Sequence, residues 1–178
     1  MARINAPPTL LRRLQSLWLG PPPKRGVAAI LMECLQGEGG VKPGTAAFFQ
    51  AARALCDASG ALLMCDEVQT GVGRTGKLWG FQHVGVEPDV FTCAKALGGG
   101  VPIGAMLCTE KANVFGPGDH ASTYGGNPLA CAAGMAVAKA FDQDGLLENV
   151  VARGAQLKAG LEKLQVPFKK VLGLSRLF

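Results

Sequence analysis

The sequence predicts an α/β fold in which a mostly parallel sheet is flanked by helices. Three observations carry that expectation. Apolar runs of strand length occur at 27–35 and 61–65, a capped stretch of helical period lies between them, and 25 glycines in 178 residues punctuate the chain with turns. A short continuous apolar run marks a strand covered on both faces. Two such runs joined through a helix form a parallel pair, and the crossover is right-handed.

The elements follow in order. VAAILMECL (27–35) reads as the first strand. Thr45 can cap a helix running to about Ser59, with Ala47, Phe48, Ala51, Ala52 and Leu55 on its apolar side and Gly60 as its stop. ALLMC (61–65) reads as a second strand and ends at Asp66. PDVFTCA (88–94) and PIGAMLC (102–108) supply two more short strands. Asn127 and Pro128 make the cap and first turn of a helix to about Phe141. A last helix spans about Leu146 to Leu164, where Leu147, Val150, Val151, Leu157, Leu161 and Leu164 recur at helical spacing. Ligands of open sheets gather beyond the carboxyl ends of the strands, and Asp66 and Lys95 fall there.

Composition narrows the function. Hydrophobic residues make up 48% and charged residues 17%, enough apolar surface for a packed core and too much for a disordered tail. Charged or polar side chains interrupt every run before the ~18 apolar residues of a membrane helix, so no membrane partner is expected. The net charge of +5 is carried by Arg3, Arg12, Arg13, Lys24 and Arg25, because no acid precedes Glu33. The rest of the chain is balanced and offers no basic stripe for nucleic acid. The basic, proline-rich leader (1–26) reads as disordered or as a mispredicted start, with some features of a transit peptide.

Six cysteines lie 9 to 28 residues apart without a C-x-x-C pair, which suits reduced thiols in an intracellular compartment. Cys34, Cys65, Cys93 and Cys108 sit inside apolar runs, where cysteine acts as a small buried hydrophobe. With only His83 and His120, no metal site is expected.

GVGRTGK (71–77) fits two nucleotide-binding patterns and fails both on context. Leu78 stands where a phosphate loop of that kind needs Ser or Thr to hold magnesium. A dinucleotide fingerprint opens a helix, whereas Trp79-Gly80 follows here, and Asp66-Glu67 would repel a pyrophosphate. Two charged groups in apolar surroundings then remain, Asp66 and Lys95. They form a structural ion pair or reach solvent at the sheet edge, or else they perform chemistry. A Schiff-base lysine needs a desolvated setting, and Lys95 precedes ALGGG. Pyridoxal phosphate requires such a lysine together with a carboxylate that keeps the pyridine nitrogen protonated.

QGEGG (36–40), DEVQTGVGRTGKLWGFQHVGVEPDVFTCAKALGGGVPIGAML (66–107) and STYGGNPLACAA (122–133) resemble the class III, fold-type I aminotransferases. The likeness is closest to the acetylornithine branch, and the ornithine and 4-aminobutyrate branches share the same blocks less closely. It covers roughly 27–165, which it identifies as part of the large, cofactor-binding domain, truncated at both ends. Residues 166–178 read as a tail outside the family pattern.

The resemblance implies pyridoxal 5'-phosphate as cofactor, amino acid and 2-oxo acid substrates, and a homodimer. The reaction it implies converts N-acetylornithine and 2-oxoglutarate to N-acetylglutamate semialdehyde and glutamate, a step of arginine biosynthesis. It makes Lys95 the lysine that carries the cofactor and Asp66 the partner of the pyridine nitrogen, both catalytic, with Glu67 beside them at the cofactor. Val68 would pack on the ring and Gln69 would bond near its phenolic oxygen. Thr123 would hold the phosphate in the neighbouring subunit's site, with Ser122 near the substrate. Glu38 would gate the substrate carboxylate by pairing with an arginine, while Glu33 is expected to be structural. The location implied is intracellular: cytoplasmic in a bacterium, mitochondrial or plastid in a eukaryote.

The family's upstream phosphate loop, its ring-stacking aromatic residue and its substrate arginines have no counterparts in this sequence. The rival expectation is therefore a non-catalytic fragment, and the isolated chain is expected to turn over little substrate.

Overall fold

The first strand is shorter than the apolar run that encodes it. In the computed structural model, which describes residues 26–165, β1 covers Ala29–Glu33 and the chain bends at Cys34. Gly26 aside, the expectations for the leader and for the 166–178 tail fall outside the described residues. After the bend, β2 (Leu35–Gln36) pairs antiparallel with β3 (Lys42–Pro43).

Thr45 then caps α1 (Ala46–Ser59), its hydroxyl accepting from Phe48 N at 3.2 Å. Gly60 ends the helix at φ 76°, a left-handed position that suits glycine. The buried face of α1 is Phe49, Ala52 and Cys56, so only Ala52 of the expected set lies on it. Ala47 is exposed, and Phe48, Ala51 and Leu55 are half-buried. Apolar residues come in neighbouring pairs here (48–49, 51–52, 55–56), so spacing alone leaves two faces open. Contact with the sheet selects the second of each pair.

The strands β4 (Leu62–Asp66), β5 (Val90–Cys93) and β6 (Ala105–Cys108) complete a sheet of order β1-β4-β5-β6. β1, β4 and β5 run parallel, and β6 returns antiparallel along β5. The mostly parallel sheet is thus present, with one antiparallel edge. Its core joins Leu63 and Cys65 of β4 to Phe49, Ala52 and Cys56 of α1, with Cys34, Ala61, Val84 and Val86 around them.

Burial is uneven across the sheet. Leu31 at the β1 edge is 62% exposed, and all four residues of β6 are exposed. At these two strands the apolar run overstates burial, whereas Val90 of β5 is buried. Three of the four cysteines in apolar runs are buried, while Cys108 is exposed on β6. Cys34 and Cys65 lie with their sulfurs 3.8 Å apart, and that contact together with burial pushes the Cys34 thiol pKa up.

α2 (Pro128–Gln143) is capped by Asn127, whose Oδ1 accepts from Ala130 N at 3.0 Å. It packs on the turn that follows β5 and on α3 (Leu146–Gln165). The apolar stripe expected on α3 is largely uncovered, with Val151, Leu157, Leu161 and Leu164 exposed. Among the described residues no helix is long and apolar enough to cross a membrane.

Asp89, just before β5, ties three elements together. Its Oδ2 accepts from Leu63 N and from Arg53 Nη1, each at 2.8 Å. Burial pushes its carboxyl pKa up, but the Leu63 amide and the Arg53 guanidinium outweigh that and hold it below the usual carboxylate range. A carboxyl pKa lowered by folding stabilises the protein above the unfolded value of about 3.9, and that contribution is lost as pH falls through the folded value. The wild-type thermal midpoint should therefore fall more steeply below about pH 4 than that of Asp89→Asn. Identical acid profiles for the two chains would show that the clamp contributes nothing.

Candidate active site

Asp66 is the last residue of β4 and pairs in register with Thr92 of β5. Lys95 follows two residues after β5 ends, so both side chains leave adjacent parallel strands at the carboxyl edge of the sheet. Asp66 is half-buried, and its Oδ1 accepts from Val68 N at 2.9 Å. No described residue donates to its Oδ2. Lys95 is exposed, which corrects the reading of a buried base. The apolar run ends at Cys93, and the lysine opens a one-turn 3-10 helix (Lys95–Gly98) at the surface. Among the described residues neither group forms an ion pair, so a structural pair between them is not found.

The backbone at Lys95 has φ 46°, a left-handed conformation that costs a non-glycine residue on the order of 1–3 kcal/mol and persists only where the surroundings enforce it. Here Leu97 N bonds Ala94 O at 2.9 Å and Gly99 N bonds Ala96 O at 3.1 Å. Gly98 is buried so tightly that a Cβ on it would lie 2.8 Å from Ile103 Cγ2. Gly134 of α2 faces the Leu97 carbonyl across the same contact. The strained lysine therefore sits on a rigid turn.

The loop after β4 is organised by Glu67, which is 1% exposed. Its Oε2 accepts from Thr70 Oγ1 (2.6 Å) and Gly80 N (2.8 Å), and its Oε1 accepts from Phe81 N (2.8 Å). Glu67 had been expected at the cofactor; its carboxylate is instead committed to the loop's own fold. Within that loop Gly71, Val72 and Gly73 are buried, and Gly73 lies where a Cβ would meet Phe141 at 2.5 Å. GVGRTGK is thus a packed turn.

Glu38 and Gln69, from loops 31 residues apart in sequence, meet at the same edge, Gln69 Nε2 donating to Glu38 Oε1 at 3.4 Å. Beneath them Glu33 Oε2 accepts from Gly37 N at 2.9 Å, the structural part expected of it. Val68 is half-buried beside Asp66. Ser122 and Thr123 lie on an exposed loop, where Ser122 Oγ accepts from Gly125 N at 2.8 Å, and neither bonds the Asp66–Lys95 edge. Sequence reasoning missed the non-glycine residues with positive φ besides Lys95, namely Val41 and Val72. Both flank this edge in loops, and no composition signal marks them.

A match to the family model of class-III aminotransferases extends over residues 5–174. The chain belongs to the class-III aminotransferases. Among members of this pyridoxal phosphate-dependent family, the acetylornithine aminotransferase of Synechocystis sp. is 63% identical over 139 residues, which cover 78% of this chain and 32% of that protein. Solved class-III aminotransferase structures share the fold. The N-acetylornithine aminotransferase of Stenotrophomonas maltophilia superposes with TM-score 0.73 at 39% identity, over 84% of this chain and 38% of its own. The ornithine delta-aminotransferase of Plasmodium falciparum gives TM-score 0.76 at 39% identity, over 90% and 40%. The chain spans about a third of the length of the curated relatives it matches.

Proposed function

We propose that this chain carries the lysine and the ring-nitrogen carboxylate of an aminotransferase that acts on N-acetylornithine and 2-oxoglutarate with pyridoxal phosphate. The observation that carries the reading is the placement of Asp66 and Lys95 at the carboxyl ends of adjacent parallel strands, each with a reactive atom uncommitted. A free carboxylate oxygen and a lysine without an ionic partner are the two groups the cofactor's pyridine nitrogen and aldehyde require. When bound, pyridoxal phosphate supplies an electron-accepting ring.

The protein's residues supply the rest. Lys95 Nζ would hold the cofactor and would serve as the group that moves the substrate proton. Asp66 Oδ2 would accept from the pyridine nitrogen and keep it protonated. Val68 would pack against the ring, and Gln69 would donate near its phenolic oxygen. Glu38 pairs with an arginine to control entry of the substrate carboxylate. Thr123 reaches the phosphate of a second subunit's site, with Ser122 near the substrate, so the working assembly is a homodimer. In this reading residues 27–165 belong to the cofactor-binding large domain, and the six free thiols suit a reducing compartment. Curated relatives at 54–63% identity named acetylornithine aminotransferase favour that substrate over ornithine.

The test is borohydride reduction of the chain with pyridoxal phosphate, followed by peptide mapping. The adduct is expected on Lys95, and label confined to surface lysines such as Lys158 or Lys163 would remove the proposal. Asp66→Asn should weaken cofactor affinity about 10- to 100-fold, since a hydrogen bond to a charged group contributes roughly 1.5–3 kcal/mol. Absorbance titration measures this, and unchanged affinity would detach Asp66 from the ring nitrogen.

A further inference from the structure

We infer that Gly37 is a positioning residue whose bare α-carbon is the seat on which the Gln69 amide lies. The inference rests on the proposed role of Gln69 as a cofactor contact. A Cβ at position 37 would lie 2.2 Å from Gln69 Oε1, 2.6 Å from Cδ and 2.8 Å from Nε2. No side chain can share that space with the amide. The requirement is steric, because Gly37 is not among the residues with positive φ.

The seat itself is fixed. Gly37 N donates to Glu33 Oε2 at 2.9 Å, and Gly37 O accepts from Gly40 N and Val41 N, each at 3.1 Å. Glu33 in turn stands in register with Asp66 across the β1–β4 pair. The Gln69 amide is therefore held between the Gly37 backbone on one side and the Glu38 carboxylate on the other. A methyl group at 37 would displace the end of a flexible side chain and leave the anchored backbone in place. The fold would lose little, while the amide would lose its aim at the edge where Asp66 and Lys95 emerge.

The experiment uses the 178-residue chain labelled with 15N-glutamine. Side-chain amide resonances of Gln69 are assigned by their loss in Gln69→Ala. In Gly37→Ala those resonances are expected to shift, while the thermal midpoint stays within about 2 °C of wild type, the scale of a surface substitution. With pyridoxal phosphate added, Gly37→Ala and Gln69→Ala should each bind about 2- to 10-fold more weakly, the worth of one neutral hydrogen bond. Their Lys95-linked absorption bands should move alike, and the double variant should match Gln69→Ala. Unmoved Gln69 resonances would overturn the inference, as would a wild-type band in Gly37→Ala where Gln69→Ala shifts it. Wild-type affinity in Gln69→Ala would instead remove the cofactor role of Gln69, and absence of label on Lys95 in the wild-type chain would remove the proposed function. In either case the resonances alone decide whether the seat exists.

Discussion

Replacing Lys95 with alanine is expected to abolish the borohydride-trapped adduct at this position, because the proposed function gives this amine to the cofactor aldehyde. The effect should be large because two other described lysines are engaged elsewhere. Lys77 donates to Gln82 O at 3.0 Å within the packed loop, and Lys111 lies near Asp89. Fold should be retained, since Lys95 is exposed and makes no ion pair. The thermal midpoint should even rise slightly with Lys95→Gly, because glycine adopts φ 46° without the strain that lysine carries. A trapped adduct of wild-type yield in Lys95→Ala would place the cofactor elsewhere.

Glu67→Ala is expected to be strongly destabilising. The substitution strands Gly80 N, Phe81 N and the Thr70 hydroxyl, and a buried group left without its partner costs about 1–3 kcal/mol. Water entering the space limits the total, so a loss of roughly 3 kcal/mol and a midpoint drop on the order of 10 °C are expected. Glu67→Gln keeps one acceptor and presents an NH2 to donors, so it should fall between Ala and wild type. Circular dichroism melting curves measure both. A drop under about 2 °C for Glu67→Ala would mean that the loop is held by its packing on Trp79 and Phe141.

What the sequence makes legible follows the range of the interaction. Thr45 with Gly60, and Asn127 with Pro128, mark helix ends through bonds three or four residues long, and both helices are found there. The edge that gathers Asp66 and Lys95 is legible too, because strand ends set it. Side-chain destinations decided across the fold are not. The partners of Glu67 at Gly80 and Phe81 lie 13 and 14 residues away, so an acid next to Asp66 read as a ligand when it is a clamp. Lys95 follows an apolar run and read as buried, yet the turn that begins there brings it to the surface. The burial of β1 and β6 likewise depends on what lies over the sheet, which periodicity within a strand does not encode.

The antiparallel return of β6 has a consequence for how the site tolerates change. Cys93 and Ala105 are paired across β5 and β6, so residues 94–104 form a loop closed at its neck by the sheet. Lys95 is the second residue of that loop. An inserted or deleted residue between 94 and 104 cannot be absorbed by sliding β6, because a one-residue slip turns each of its side chains to the opposite face. Chain length in this stretch is thereby as constrained as residue identity, and variation by insertion belongs on the exposed loop around Gly116–Gly118, where no strand register has to be kept.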